Sequence, residues 1–240
     1  MQSPIACVTG TDRGVGLALT RLLLEQGGTV FAGGIVRGNE SIAELKALYP
    51  ERLHNFYVDI GDDRSVKEAA AFVQSRTDRL DLLLNNAAIL GETERTIYEN
   101  LDFDDMLRNY NITALGAIRM TNALIEPIMS GGKLIVNISS EAGSIMQSYR
   151  EAWFGYCMAK AALNMGSTII HTRIKGEGGR VMLFHPGWVQ SMITGVFSSE
   201  AMYTPEQAAA HILRRIEERG QEIHEQPLYL EADTGRLLPW

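Results

Sequence analysis

Cysteine is scarce in this chain, with only Cys7 and Cys157 among 240 residues. Neither a CxxC nor an HExxH motif occurs, and the five histidines are scattered, which argues against a metal site. The two cysteines fall in an expected strand and an expected helix. They read as buried, reduced thiols of a cytoplasmic protein rather than as a disulfide framework. No apolar run approaches the roughly 20 residues that span a bilayer, and the first residues lack the basic and apolar regions of a secretion signal. Positive charge is not in excess. The net charge is −7 and no basic patch carries interleaved aromatics, so nucleic acid and an anionic membrane surface are excluded as partners. What remains, 45% hydrophobic and 21% charged, is the composition of a globular protein large enough for one α/β domain over residues 1–240. No linker, repeat or low-complexity segment divides it.

Strands and helices are expected to alternate to the end. Apolar strand candidates lie at 5–8, 29–32, 53–58, 80–84, 133–138 and 180–184, most of them apolar on both faces. This is the pattern of a parallel sheet covered on both sides. Gly27-Gly28, Gly131-Gly132 and Gly178-Gly179 mark three helix ends, where a left-handed cap favours glycine. Thr204-Pro205-Glu206-Gln207 is a helix start, with Thr204 as N-cap and Gln207 reaching back. The fold class is α/β, a single doubly wound Rossmann domain, its sheet mostly parallel, of about seven strands, with helices on both faces.

Such a sheet binds its ligand at the carboxyl ends of its strands. The first strand runs into Thr9-Gly10-Thr11-Asp12-Arg13-Gly14-Val15-Gly16, followed by the helical pattern Leu17, Leu19, Leu22, Leu23. A strand, a glycine turn and a helix in that order bring bare backbone N–H groups to a helix N-terminus, where an anion is favoured. Gly10 allows the turn, Gly14 the approach of phosphates, and Gly16 the close packing of helix on strand. The later strands end at Arg37, Asp59-Ile60, Asn85-Asn86-Ala87-Ala88, Ser139-Ser140 and His185-Pro186-Gly187. In dinucleotide folds an acid about 20 positions beyond the glycines binds the ribose hydroxyls of NAD. Here that region reads Gly34-Ile35-Val36-Arg37-Gly38, with arginine in place of the acid. A guanidinium pairs with a 2′-phosphate, and Arg13 adds a second positive charge, so the expected cofactor is NADP(H).

Tyr156-Cys157-Met158-Ala159-Lys160 starts another helical pattern, and the i, i+4 spacing puts Tyr156 and Lys160 on one face. Tyrosine, with a pKa of about 10, handles protons poorly at neutral pH unless a nearby ammonium stabilises the phenolate. Alone the pair fits a surface contact equally well. Ser139 and Ser140, at the end of an apolar strand, supply a hydroxyl at the ligand edge, and Ser139 reads better as a turn residue.

With these residues in place, the chain resembles the short-chain dehydrogenase/reductase family over essentially its whole length. The motifs in order are TGxxxGxG at 9–16, NNAA at 85–88 (the family more often has Gly last), Asn111, Ser-Ser-x-x-Gly at 139–143, YxxxK at 156–160 and PGxV at 186–189. His-Pro-Gly-Trp-Val at 185–189 and the ending Leu-Pro-Trp are similar to the C-factor-like branch, which includes carbonyl reductases. The resemblance implies that Tyr156 is the general acid in carbonyl reduction and that Ser140 hydrogen-bonds the reacting oxygen. It implies that Lys160 holds the nicotinamide ribose and depresses the Tyr156 pKa, and that Asn111, in a long helix over roughly 103–129, holds a relay water. Cofactor contacts are implied for Gly10, Thr11, Asp12, Arg13, Gly14, Val15, Gly16, Arg37, Asp59, Ile60, Asn86, Ala87, Ala88, Tyr156, Lys160, Pro186, Gly187, Val189 and Ser191. A homodimer or tetramer is implied, paired through the helices starting near Phe103 and Trp153.

Fifteen residues separate Ser140 from Tyr156, more than the family usually has, so the excess should bulge near the substrate mouth. Ser140 is preferred over Ser139 because its frame aligns with Gly143. Candidate lining residues are Leu90, Ile145, Met146, Trp153, Phe154, Trp188, Met192, Ile193, Val196 and Phe197, an apolar set without a basic handle. The expected substrate is an apolar aldehyde, ketone or quinone, with a lid at about 190–203. Two other readings stand beside it: a 3-oxoacyl thioester reductase, which the net charge does not encourage, and a cofactor-binding signalling protein with incidental turnover.

Overall fold

The computed structural model describes residues 3–192 and 199–240. Strand β1 (Ile5–Thr9) leads through the glycine turn into α1 (Gly14–Glu25), then β2 (Thr29–Gly34), α2 (Glu40–Leu48), β3 (Leu53–Tyr57), α3 (Asp63–Gln74) and β4 (Leu82–Asn85). The second half runs α4 (Phe103–Asn109), a π-helical segment (Tyr110–Leu115), α5 (Gly116–Ala123), α6 (Ile125–Ser130), β5 (Leu134–Ile138), α7 (Phe154–Ile174), β6 (Arg180–His185), α8 (Pro205–Arg219) and β7 (Leu228–Glu231). The strands described pair in parallel, in the order β3-β2-β1-β4-β5-β6-β7, with one antiparallel bridge from Leu230 of β7 to Leu237. The order reverses between β1 and β4, and the crevice at that point is where such sheets take ligands.

Alternation along the strands builds two cores. Ala6, Val8, Val30, Leu82, Leu84, Val136 and Phe184 pack under α1, α2 and α8. Cys7, Phe31, Leu83, Ile135 and Leu183 pack under α3, α5, α6 and α7. The expected strands are found, with β7 added at the edge beyond β6. β3, at the opposite edge, is covered on one face only: His54 and Phe56 pack on Phe31 and Phe72, whereas Asn55 and Tyr57 are exposed, so the strand is not buried on both sides as the apolar run implied. Among the described residues no helix is long and apolar enough to cross a membrane.

Two local expectations are corrected. Gly27 (φ 88°) and Gly178 (φ 80°) are left-handed as anticipated. Gly131 is not: its φ is −108°. That pair is needed for close approach, because a Cβ on Gly131 would lie 2.2 Å from the Leu80 carbonyl oxygen and one on Gly132 would lie 2.3 Å from that of Asp81. Cys7 is buried, whereas Cys157 is only half-buried. The capping box at Thr204 is present, with Gln207 N–H donating to Thr204 Oγ1 at 3.2 Å and Thr204 N–H to Gln207 Oε1 at 2.9 Å.

Candidate active site

The glycine turn is fastened to β4 and β2 by side chains that sequence analysis assigned to the cofactor or passed over. Thr9 Oγ1 accepts from the N–H groups of Asn86 (3.1 Å) and Ala87 (3.2 Å), and Asn86 Nδ2 donates back to the carbonyls of Thr9 (3.0 Å) and Gly10 (3.2 Å). Thr11 Oγ1 donates to the Gly33 carbonyl and is buried. The Asp12 carboxylate accepts from the N–H groups of Ile35 (3.0 Å) and Val36 (2.9 Å), so it holds the loop after β2. Gly14, at φ 59°, faces open space, and a Cβ on Gly16 would lie 2.1 Å from the Gly10 carbonyl oxygen. The Arg37 guanidinium lies 3.9 Å over the Tyr57 ring, and among the described residues no carboxylate pairs with Arg37 or Arg13. Asp59 Oδ1 accepts from Gly61 N–H at 2.9 Å, and Ile60 is buried beneath Gly116.

At the carboxyl end of β5 the two serines part. Ser139 Oγ donates inward to Asn164 Oδ1 at 2.6 Å. Ser140 begins a 3-10 turn over Glu141–Gly143, and it stands close enough to Tyr156 to draw the phenol's pKa down. Gly143 lets that turn lie on α7, since a Cβ there would stand 2.9 Å from the Lys160 carbonyl carbon. Lys160 is buried, its Nζ lying 5.5 Å from the Tyr156 ring centroid and donating to the Ile138 carbonyl at 2.7 Å. Ser140, Tyr156 and Lys160 are therefore brought together.

Burial pushes the Tyr156 phenol up; Ser140 and Arg150 draw it down, while the Glu141 charge and Cys157 oppose them. Burial pulls Lys160 down to about 7, and its Nζ is turned to the Ile138 carbonyl.

Asn111 is held at both ends of its side-chain amide. Its Nδ2 donates to the Gly61 carbonyl at 2.9 Å, and its Oδ1 accepts from Arg119 at 2.8 Å. The loop after β4 is reached instead by Thr113, buried, with Oγ1 accepting from Ile89 N–H at 3.3 Å, and by Asn109, buried at the end of α4, with Nδ2 donating to the Leu90 carbonyl at 2.6 Å. Asn111 and Thr113 sit in the π-helical segment, which interrupts the single long helix anticipated here. Extra residues per turn change which side chain faces inward along this stretch.

A cluster absent from the sequence-derived set surrounds Ser140. Ser140 Oγ donates to Glu141 Oε2 at 2.6 Å, the same carboxylate pairs with Arg150, and His185 Nδ1 lies 3.1 Å from Oε2. The pairing with His185, Ser140 and Arg150 overcomes the burial penalty and holds the Glu141 carboxyl below the usual range, while burial lowers His185. Arg150 belongs to the extra segment before Tyr156. Its guanidinium lies 4.8 Å from the Trp153 ring, which meets the Tyr156 ring edge-on at 6.0 Å. Trp153 is left-handed (φ 66°), a strained conformation for a bulky residue, at the entry to α7.

The segment does bulge, leaving Ile145 and Met146 exposed, and Met146 N–H donates to the Trp240 carbonyl at 3.0 Å. Leu90 is buried, Trp188 and Met192 are exposed, and Ile193, Val196 and Phe197 lie outside the described residues. Pro186 and Gly187 follow β6. Gly187 is left-handed, with the Tyr203 ring 2.7 Å from where its Cβ would be. Val189 bridges to Tyr203, and Ser191 is half-buried; the proposed lid includes residues 193–198, which are not described.

The sequence profile of the short chain dehydrogenases matches residues 4–201. The 1-hydroxy-2-glutathionyl-2-methyl-3-butene dehydrogenase of Rhodococcus sp. (strain AD45) is 28% identical over 234 residues, 97% of this chain and 98% of that protein. The C-signal of Myxococcus xanthus is 34% identical over 120 residues, 50% of this chain and 71% of that protein. The NADPH-bound carbonyl reductase from chicken fatty liver superposes with a TM-score of 0.85 at 26% identity, covering 100% of both chains. By its profile match, its seven-stranded parallel sheet and its Ser140–Tyr156–Lys160 grouping, the chain belongs to the short chain dehydrogenase family.

Proposed function

We propose that this oxidoreductase is an NADP(H)-dependent carbonyl reductase acting on an apolar aldehyde, ketone or quinone. The observation that carries the reading is Ser140 beside Tyr156, with buried Lys160 5.5 Å from the Tyr156 ring, at the carboxyl end of the central strands. The glycine turn fits a dinucleotide: Gly14 leaves open space, Gly16 and Gly10 meet backbone to backbone, and the α1 N-terminus faces the turn. Arg37 and Arg13, with no acidic partner among the described residues, suit a 2′-phosphate. The chicken fatty liver reductase, similar over its full length, is NADPH-bound. Reduced nicotinamide, when bound, supplies a hydride to the carbonyl carbon.

The chain's own residues handle the proton. Tyr156, its phenol pushed up by burial, stays protonated at neutral pH and gives its proton to the developing alkoxide. Ser140 polarises the reacting oxygen. Lys160, near neutrality in charge, offers its Nζ to a ribose hydroxyl when it leaves the Ile138 carbonyl. Val189 and Ser191 hold the carboxamide, and Asn86 fixes the turn. Exposed Leu107, Met158, Met165 and Ile169 on α4 and α7 offer a face for pairing two copies.

The test is NADPH oxidation with a panel of aldehydes, ketones and quinones. Turnover of apolar carbonyls, abolished in Tyr156→Phe, is the expected result. NADPH binding without turnover would replace this reading with the signalling one that the similarity to C-signal favours.

A further inference from the structure

An exposed arginine reads a phosphate well only if it is held, because its long side chain otherwise spreads the guanidinium over many positions. Arg37 is exposed in the loop between β2 and α2, yet the backbone of that loop is fastened on both sides of it. The Asp12 carboxylate takes the N–H groups of Ile35 and Val36. Asn39 Nδ2 donates to the Asp12 carbonyl at 2.9 Å, and Asn39 Oδ1 accepts from Ile42 N–H at 3.1 Å, capping α2. The loop is thereby tied to the glycine turn itself. The Arg37 side chain has a support of its own, with Cζ 3.9 Å from the centroid of the Tyr57 ring at the end of β3.

Register puts that ring on the side of the sheet where the cofactor turn lies. Tyr57 pairs with Gly34, and partners across a parallel ladder share a pleat, so their side chains leave the sheet on the same face. At Gly34 this direction leads to the glycine turn, since a Cβ there would lie 2.5 Å from Asp12 Oδ1. A guanidinium over a ring is held by its face, whereas its five N–H donors lie in its plane. Tyr57 thus steadies Arg37 without occupying the groups that bond a phosphate, and among the described residues no carboxylate takes them. We propose that Tyr57 is a positioning residue that sets cofactor preference: it is the platform from which Arg37 meets the 2′-phosphate of NADP(H). This rests on the reading of NADP(H) as the cofactor. Because the ring face supplies the attraction, phenylalanine serves in place of tyrosine and an aliphatic side chain does not.

The test is calorimetric titration of the full-length protein with NADPH and with NADH, which needs no turnover. The wild type should bind NADPH more tightly than NADH. Tyr57→Leu should weaken NADPH about three- to fivefold and leave NADH unchanged, and Tyr57→Phe should stay close to the wild type for both. Arg13 keeps part of the preference in each variant. An unchanged NADPH affinity in Tyr57→Leu overturns the proposal, because the ring then gives no support. An equal loss for both nucleotides also overturns it, because the ring then acts on folding or on the part the nucleotides share. Repeating the substitution in an Arg37→Met background separates the routes: Tyr57→Leu should change nothing there, and a remaining loss of NADPH overturns the proposal. Equal binding of NADPH and NADH by the wild type would remove the NADP(H) reading and the role of Tyr57 together, whereas a wild-type preference kept in full by Tyr57→Leu removes the role of Tyr57 alone.

Discussion

Tyr156 and Lys160 sit one helical turn apart, and burial acts on them in opposite directions, favouring a neutral phenol and a neutral amine. For Lys160 this has a thermodynamic consequence. Its folded value, about 7, lies below the ordinary 10.5. Between those values the unfolded chain binds a proton that the folded chain does not, so stability rises with pH across that window and is lowest below it. Replacing Lys160 by Met should therefore raise the melting temperature at about pH 6, by a few kcal/mol in stability, and the gain should vanish toward about pH 10. A gain that does not change with pH would show that Lys160 is not the titrating group. Tyr156→Phe should lower kcat by about 10²- to 10⁴-fold with little change in melting temperature, as removal of a general acid does. Asn111→Ala should reduce kcat less than Thr113→Val, because it is Thr113 that reaches the Ile89 amide. The reverse order in steady-state kinetics would restore Asn111 to the relay. Sequence patterns exposed Tyr156, Lys160 and Ser140 because each belongs to a short, spaced motif. Glu141 fills an unspecified position of its motif, Arg150 belongs to the extra segment, and His185 was read only as part of a strand end; only folding brings the three within bonding distance.

The elements that carry the site are short strands whose ends were readable from the change of apolar run to polar punctuation. β7 was not, because four residues, Leu228–Glu231, leave too little alternation to register as a strand. The π-helical segment was equally hidden: nothing in Tyr110–Leu115 departs from an ordinary helical composition, and its winding follows from packing against α7 and α5. The Gly131-Gly132 pair shows the opposite case, where the residues were noticed and their reason was not. Because backbone rather than a movable side chain lies 2.2 Å from a Cβ on Gly131, Gly131→Ala should destabilise by about 3 kcal/mol or more in urea unfolding. Thr204→Ala, which removes one half of the capping box, should cost only about 1 kcal/mol by the same measurement.

On the scale of the whole molecule, the sheet's reversal between β1 and β4 gathers the glycine turn, Asn86, Ser140 and His185 along one edge. That gathering was predictable from strand alternation alone, whereas the route of the chain beyond β6 was not, since it depends on contacts such as Tyr203 against Gly187. A ligand spanning this edge stabilises the folded state by about 2.7 kcal/mol at a hundred times its Kd. NADPH should therefore raise the melting temperature more than NADH at equal concentration, and Arg37→Asp should reverse the order; equal shifts for both nucleotides in the wild type would remove the NADP(H) assignment. The unidirectional pairing also sets a timetable for biosynthesis. On one flank β1 finds β2 soon, Ile5 against Thr29, but on the other Ala6 must wait for Leu82. At roughly 5–20 residues per second that interval is about 4–15 s. Throughout it the nascent amino-terminal half carries an open backbone edge, which makes this stage of translation the one at which a ribosome-associated chaperone has most to shield.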